Sequence, residues 1–121
     1  MSDLSTFDPA SVQDLIDKIE DDAGTALTQY WNVAKARIGE NTRVLAETTV
    51  RVAKGLADGS LSEADADSIL YVQEQLFNAT LNSVRNMPYV AAQKGLNAIF
   101  KVVGWVVFNR TGINLFPALV S

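Results

Sequence analysis

The sequence predicts an all-α protein, a three- to four-helix bundle built on a long antiparallel helical hairpin. Apolar residues recur every three or four positions through most of the 121-residue chain, which is the period of an amphipathic helix. Glycine, proline and Asp-Gly signals divide the chain into segments of helical length. With 48% hydrophobic residues, the chain has enough apolar side chains for one core, so we expect a single helical domain over residues 1–121.

The first predicted element is an acidic amphipathic helix over residues 8–23. Asp8 can accept hydrogen bonds from free amides at the helix start, and Pro9 suits the first turn because its missing N–H would have no partner there. We expect Gly24 to end the helix or to act as a hinge. The apolar face carries Val12, Leu15, Ile16 and Ile19, and the opposite face carries Asp14, Asp17 and Asp21, with Glu20 and Asp22 nearby.

The second predicted helix spans residues 25–55 and forms the first arm of the hairpin. Its apolar positions alternate in steps of four and three, which is typical of a coiled-coil seam, and we expect a buried Asn41 to fix the register of the pair. Asp58-Gly59 predicts the connecting turn, because Asp-Gly readily adopts positive φ. The seam consists of Leu27, Trp31, Ala34, Ile38, Leu45, Val52 and Leu56, with Asn41 and Thr48 in the intervening positions.

The second arm of the hairpin is predicted over residues 62–87, with Ser62 as its cap. Pro88 would either kink this helix or begin the next one, and both readings stay open at this point. The next helix, residues 89–108, is apolar on most of its circumference. We expect the apolar tail, residues 109–121, to dock on a surface that the sequence does not identify. The apolar face of the second arm consists of Ile69, Leu70, Val72, Leu76, Phe77, Leu81 and Val84.

Charge is divided along the chain. All fourteen acidic residues lie between Asp3 and Glu74, so residues 1–74 carry a net charge of −8 and residues 75–121 carry +4. The bases of the last third are Arg85, Lys94, Lys101 and Arg110. This separation favours a molecule that meets copies of itself or an anionic surface.

The composition excludes several kinds of chemistry. The chain has no cysteine and no histidine, which removes Ser-His-Asp and Cys-His catalysis, thiolate metal sites and HExxH sites. We find no phosphate-binding glycine loop and no catalytic constellation, so the sequence predicts a non-enzymatic protein with no cofactor, metal or small-molecule substrate. The acidic cluster of the first helix is interpreted as a solvated face or as one half of a charged contact. A net charge of −4 and dispersed bases also argue against nucleic acid as a partner.

Three roles remain for the apolar, basic last third of the chain: an interface between copies, the core of a single chain, and a membrane-bound surface. We expect the first, in a structural or assembly subunit that forms a homo-oligomer or a larger particle, by analogy a virion or phage-type component. The expected interface consists of Phe100, Trp105, Phe108 and Phe116 as apolar anchors, with Lys94, Lys101 and Arg110 facing Asp14, Asp17 and Asp21 of a neighbouring copy. The alternative is a helical protein that lies on or inserts into a membrane through residues 89–120.

The start of the chain bears on where the protein is found. The first residues are acidic and lack the basic and apolar regions of a signal peptide, so we expect a cytoplasmic protein or a component of an assembled particle.

Overall fold

A computed structural model describes residues 3–120. The protein is 76% helical, and no strand occurs in this described part of the chain. Its helices are α1 (Val12–Leu27), α2 (Trp31–Asp58), α3 (Glu63–Asn82) and α4 (Tyr89–Thr111), with a short 3₁₀ helix (Thr28–Tyr30) between α1 and α2. The predicted all-α bundle is confirmed.

The four helices run alternately up and down. Asn41 of α2 donates a 3.3 Å hydrogen bond to Thr80 of α3, and Gln93 of α4 donates a 3.0 Å bond to Asn78 of α3, so consecutive helices are antiparallel. Helix α4 packs against all three other helices, whereas no Cα atom of α1 lies within 8 Å of a Cα atom of α3 in the described chain. Helices α2 and α4 therefore form the central pair, and α1 and α3 flank it.

The limits of α1 differ from the prediction. The helix begins after Ser11, whose hydroxyl caps the first turn, and it continues through Gly24 to Leu27. It ends where Thr28 adopts a positive φ of 51°. Gly24 has another role, because a Cβ atom there would lie 3.2 Å from the indole nitrogen of Trp31. The glycine lets Trp31 pack closely on α1 and does not interrupt the helix.

The buried face of α2 is wider than the seam of a coiled coil. Because α2 contacts α1, α3 and α4, positions beside the predicted seam are buried too. Among them, Thr42 and Thr49 donate hydrogen bonds to the carbonyl groups four residues earlier, so their buried hydroxyls are satisfied. Asn41 is half-buried and bonded to α3. The buried residues of α2 are Ala34, Ile38, Thr42, Leu45, Ala46, Thr48, Thr49, Val52, Ala53 and Gly55.

The segments on either side of α3 contain a glycine turn, a serine cap and a proline that separates two helices. Gly59 has the positive φ expected of it, 81°, and the Ser62 hydroxyl accepts a 3.0 Å bond from the amide of Asp65. At its other end α3 stops at Asn82, five residues before the predicted limit. Pro88 lies in extended backbone as the N-cap of α4, so it separates two helices and does not kink one.

The core is centred on α4. Phe100 is fully buried. Its ring packs edge-on against Phe77 with centroids 5.8 Å apart, and it packs in a tilted arrangement against Phe116 of the tail with centroids 5.7 Å apart. The tail approaches α4 closely because position 104 is glycine, where a Cβ atom would lie 2.6 Å from a methyl group of Val120. The apolar last third therefore fills the core of its own chain. The buried residues of α4 are Ala92, Gly95, Leu96, Ile99, Phe100, Val102, Val103, Gly104, Val106 and Val107.

We expect Phe100→Ala to lower the free energy of unfolding by about 3–5 kcal/mol, because it would leave a cavity where three aromatic rings meet. Phe108→Ala, at an exposed position of the same helix, should cost much less. Chemical denaturation of both variants provides the measurement. Equal losses of stability would contradict the core assigned to Phe100.

Candidate functional site

The four aromatic residues expected at an interface occupy different environments. Phe100 is fully buried, so it serves the core and is not available to another molecule. Phe116 is half-buried against it. Trp105 is also half-buried, and its ring lies edge-on to that of Phe108 at 5.8 Å. Phe108 is the one exposed member of the four.

Arg110 pairs with an acidic residue of its own chain. Its Nε donates to Asp8 Oδ1 at 3.0 Å, and its Nη2 donates to the Pro9 carbonyl at 2.7 Å. The neighbouring Asn109 side chain donates to the carbonyl groups of Leu4 and Phe7 at 2.9 and 3.0 Å. The end of α4 thus holds the N-terminal segment in place.

The other two bases of α4 differ in exposure. Lys101 lies in a groove between α1 and α4 that Asp21 and Asp22 also line, whereas Lys94 is exposed. Asp22 in addition forms a 3.3 Å ion pair with Lys18. The charge complementarity expected between copies thus occurs within one chain for Arg110, and Lys101 lies near acidic residues of its own α1.

The acidic face of α1 is solvated and locally bonded. Asp14 accepts a hydrogen bond from the amide of Ala10 at 3.1 Å, and Asp17 accepts one from the side chain of Gln13 at 2.8 Å. Within residues 3–120, no group of three or more acidic side chains is arranged to hold a metal ion. Every buried side-chain nitrogen or oxygen of this part has a hydrogen-bond partner.

A surface that sequence reasoning missed lies on α3. The sequence predicts Ile69, Val72 and Leu76 on the apolar, buried face of the second arm, yet these side chains are 37%, 56% and 49% exposed. Steps of three and four residues place them in one row on the outside of the helix. Val44 of α2 is exposed as well, and the Asn41–Thr80 bond sets it beside Leu76 in the antiparallel register. We call these four residues the α2–α3 surface.

The sequence contained a signal for this surface. The apolar positions assigned to the second arm include the adjacent pairs Ile69-Leu70 and Leu76-Phe77. Adjacent residues point about 100° apart on a helix, so one narrow face cannot contain both members of each pair. Leu70 and Phe77 enter the core, and their neighbours form a second apolar row outside.

Charge is concentrated at one end of the bundle. Residues 23–39 and 75–98 contain no acidic residue, and the up-and-down topology brings them to the same end. The rest of the chain carries −8. Two of the most exposed apolar side chains, Tyr89 at 67% and Val90 at 64%, lie there as well. We call this region, with bases Lys35, Arg37, Arg85 and Lys94, the basic end.

Comparisons of the chain with family models, with curated proteins and with solved structures give no match. In the described part of the chain, no helix has both the length and the apolar character that crossing a bilayer requires.

One carboxyl group has a perturbed pKa because of burial. Glu74 is half-buried in a crevice that Tyr71, Leu115 and Phe116 also line, and desolvation raises the pKa of Glu74 above its ordinary value. Folding therefore favours the protonated form, so the carboxylate lowers stability as the pH rises through its folded-state pKa.

We expect Glu74→Gln to raise the melting temperature at pH 7 and to leave it nearly unchanged in acid below the ordinary glutamate pKa. Glu47→Gln, on the exposed face of α2, is the control and should show no comparable gain at pH 7. Thermal melts at both pH values provide the measurement. A gain of the same size in acid would contradict the desolvation of Glu74.

Proposed function

We propose that this chain is a non-enzymatic structural subunit that self-associates through the α2–α3 surface. The observation that supports the proposal is the exposed row of Ile69, Val72 and Leu76 on a bundle whose core is otherwise complete. A contiguous apolar row on a small helical protein is typical of a protein interface. A place in a larger particle, phage-type or other, would rest on this self-association.

The apolar area of the α2–α3 surface limits how tightly two copies can associate. Burying the exposed part of four aliphatic side chains on each of two copies would contribute on the order of 10 kcal/mol. Association costs about 4–15 kcal/mol in lost freedom of motion. The difference between these two free energies favours a weak pair whose population depends on protein concentration. Weak contacts of this kind become effective where many copies are held together.

We expect Leu76→Glu to shift the protein to monomer, because it places a charge in the middle of the apolar row. Gln75→Glu introduces the same charge one residue away, outside the row, and should leave the mass unchanged. Light scattering over a wide range of protein concentration provides the measurement. A wild-type monomer throughout that range, or an equal effect of both variants, would contradict self-association through this surface.

A membrane surface is the second candidate partner, and the basic end favours it. Tyr89 and Val90 are exposed there beside Arg85 and Lys94, with no acidic side chain in the surrounding sequence. Apolar and aromatic side chains flanked by bases are suited to an anionic lipid headgroup layer. Because most of α4 is buried in the bundle, the contact would involve the start of α4 and not the whole of residues 89–120.

We expect that, if this candidate is correct, the protein floats with vesicles containing anionic phospholipid and not with purely zwitterionic ones. Tyr89→Ser should then reduce binding, whereas Tyr71→Ser, which changes an exposed tyrosine away from the basic end, should not. The flotation assay compares both variants with the wild type. Absence of binding to either kind of vesicle would remove the membrane candidate and leave self-association unaffected.

A further inference from the structure

We infer that two copies pair antiparallel across a two-fold axis, with Asp65 of each copy facing Arg37 of the other. The inference rests on the proposed function and specifies its partner, a second copy of this chain in one orientation. Three observations support it. They are the arrangement of the apolar row, the positions of the charged residues around that row, and the uneven charge along the whole bundle.

The apolar row is complementary to itself when reversed. At helical spacing it extends from Asp65 through the three apolar residues to the exposed Ala79 and Ser83, so its centre lies between Val72 and Leu76. In an antiparallel contact about that centre, Val72 of one copy meets Leu76 of the other. Ile69 meets Ala79, where a small side chain leaves room for a large one.

The end charges are complementary in the same register. Arg37 lies one helical turn before Asn41, and the Asn41–Thr80 bond places Arg37 at the level of Ser83. The reversed copy brings Asp65 to the level of Ser83. Asp65 of one copy and Arg37 of the other therefore lie across the contact from each other, and two-fold symmetry repeats the pair.

A second charge pair follows from α2. Glu40, Val44, Glu47 and Arg51 lie along its outer edge at helical spacing, and Glu47 lies at the level of the two-fold axis, where it faces Glu47 of the other copy. Reversal about the same centre brings Arg51 of one copy to within about one turn of both Glu40 and Glu47 of the other, so each of the two facing carboxylates has a base near it. Glu40 already accepts a 2.6 Å bond from Arg43 of its own chain through one carboxylate oxygen, and its side chain is 73% exposed, so it is accessible to a second base.

The polarity of the bundle disfavours the parallel pair on electrostatic grounds. Parallel copies would bring two basic ends together, each with four bases and no acidic residue. Antiparallel copies place each basic end beside the acidic remainder of the other. A two-fold contact also covers both apolar rows completely, so it closes at two copies.

A charge exchange tests the register. Asp65→Arg should weaken pairing at least tenfold, because it would set two bases opposite each other at both ends, and adding Arg37→Asp should restore most of the loss. Asp67→Arg makes the same charge change in the same turn of α3, on the side that faces the tail, and is the matched control. Sedimentation equilibrium measures the dissociation constants, and thermal melts check that each variant is folded.

A distance measurement tests the orientation independently. The chain has no cysteine, so Gln29→Cys introduces a unique site for a spin label at the basic end. Antiparallel pairs should show label separations of about 50 Å or more, because at 1.5 Å per helical residue each Gln29 lies about 27 Å from the level of the two-fold axis. Short separations would overturn the inference.

The two proposals can fail separately. If Leu76→Glu dissociates the pair but the double charge exchange restores nothing, self-association stands and the antiparallel register is wrong. If the wild type stays monomeric at every concentration, the proposed function fails as well. Association that appears only on anionic vesicles would favour the membrane candidate and overturn the inferred pair.

Discussion

The close packing of α4 against the other three helices is the interaction on which the structure depends. Its centre is Phe100, held between a ring of α3 and a ring of the tail. Two glycines permit this packing, because a Cβ atom at Gly95 would lie 2.6 Å from Leu27 of α1, and one at Gly104 would meet the tail. Four separate parts of the chain thus meet on one helix, and the loss of that helix would expose the apolar faces of all of them.

The position of α4 also changes how the separation of acidic and basic residues along the chain is interpreted. An acidic first half and a basic last third suggest contacts between molecules, yet α1 packs directly on α4 and part of the opposite charge meets within one chain. The remaining charge is distributed unevenly along the axis of the bundle, with the bases at the basic end and a net negative charge on the rest of the chain. This polarity makes the two ends of the molecule electrostatically different, which favours the antiparallel neighbour proposed above.

The core of the bundle is closed, so the features that another molecule could contact lie on the outside of the helices. The described residues contain no buried polar atom without a partner and no cluster suited to a metal ion, whereas α3 carries large aliphatic side chains in water. A protein with this surface is suited to contacts with other molecules. Among the residues expected at an interface, Phe100 was a natural choice by hydrophobicity, but hydrophobicity alone does not distinguish a side chain buried in its own chain from one buried by a neighbour.

The sequence by itself determined the helical class, the Asp58-Gly59 turn and the Ser62 cap, because apolar periodicity, positive φ and capping act over a few residues. The end of α1 at Thr28, the packing of Trp31 on Gly24 and the separation of α3 from α4 at Pro88 were decided only in the folded chain, because the sequence also allowed a helix end at Gly24 and a kink at Pro88. The same is true of the α2–α3 surface. Both rows of α3 contain large apolar side chains, and the placement of α2 and α4 around that helix decided which row was buried and which stayed exposed.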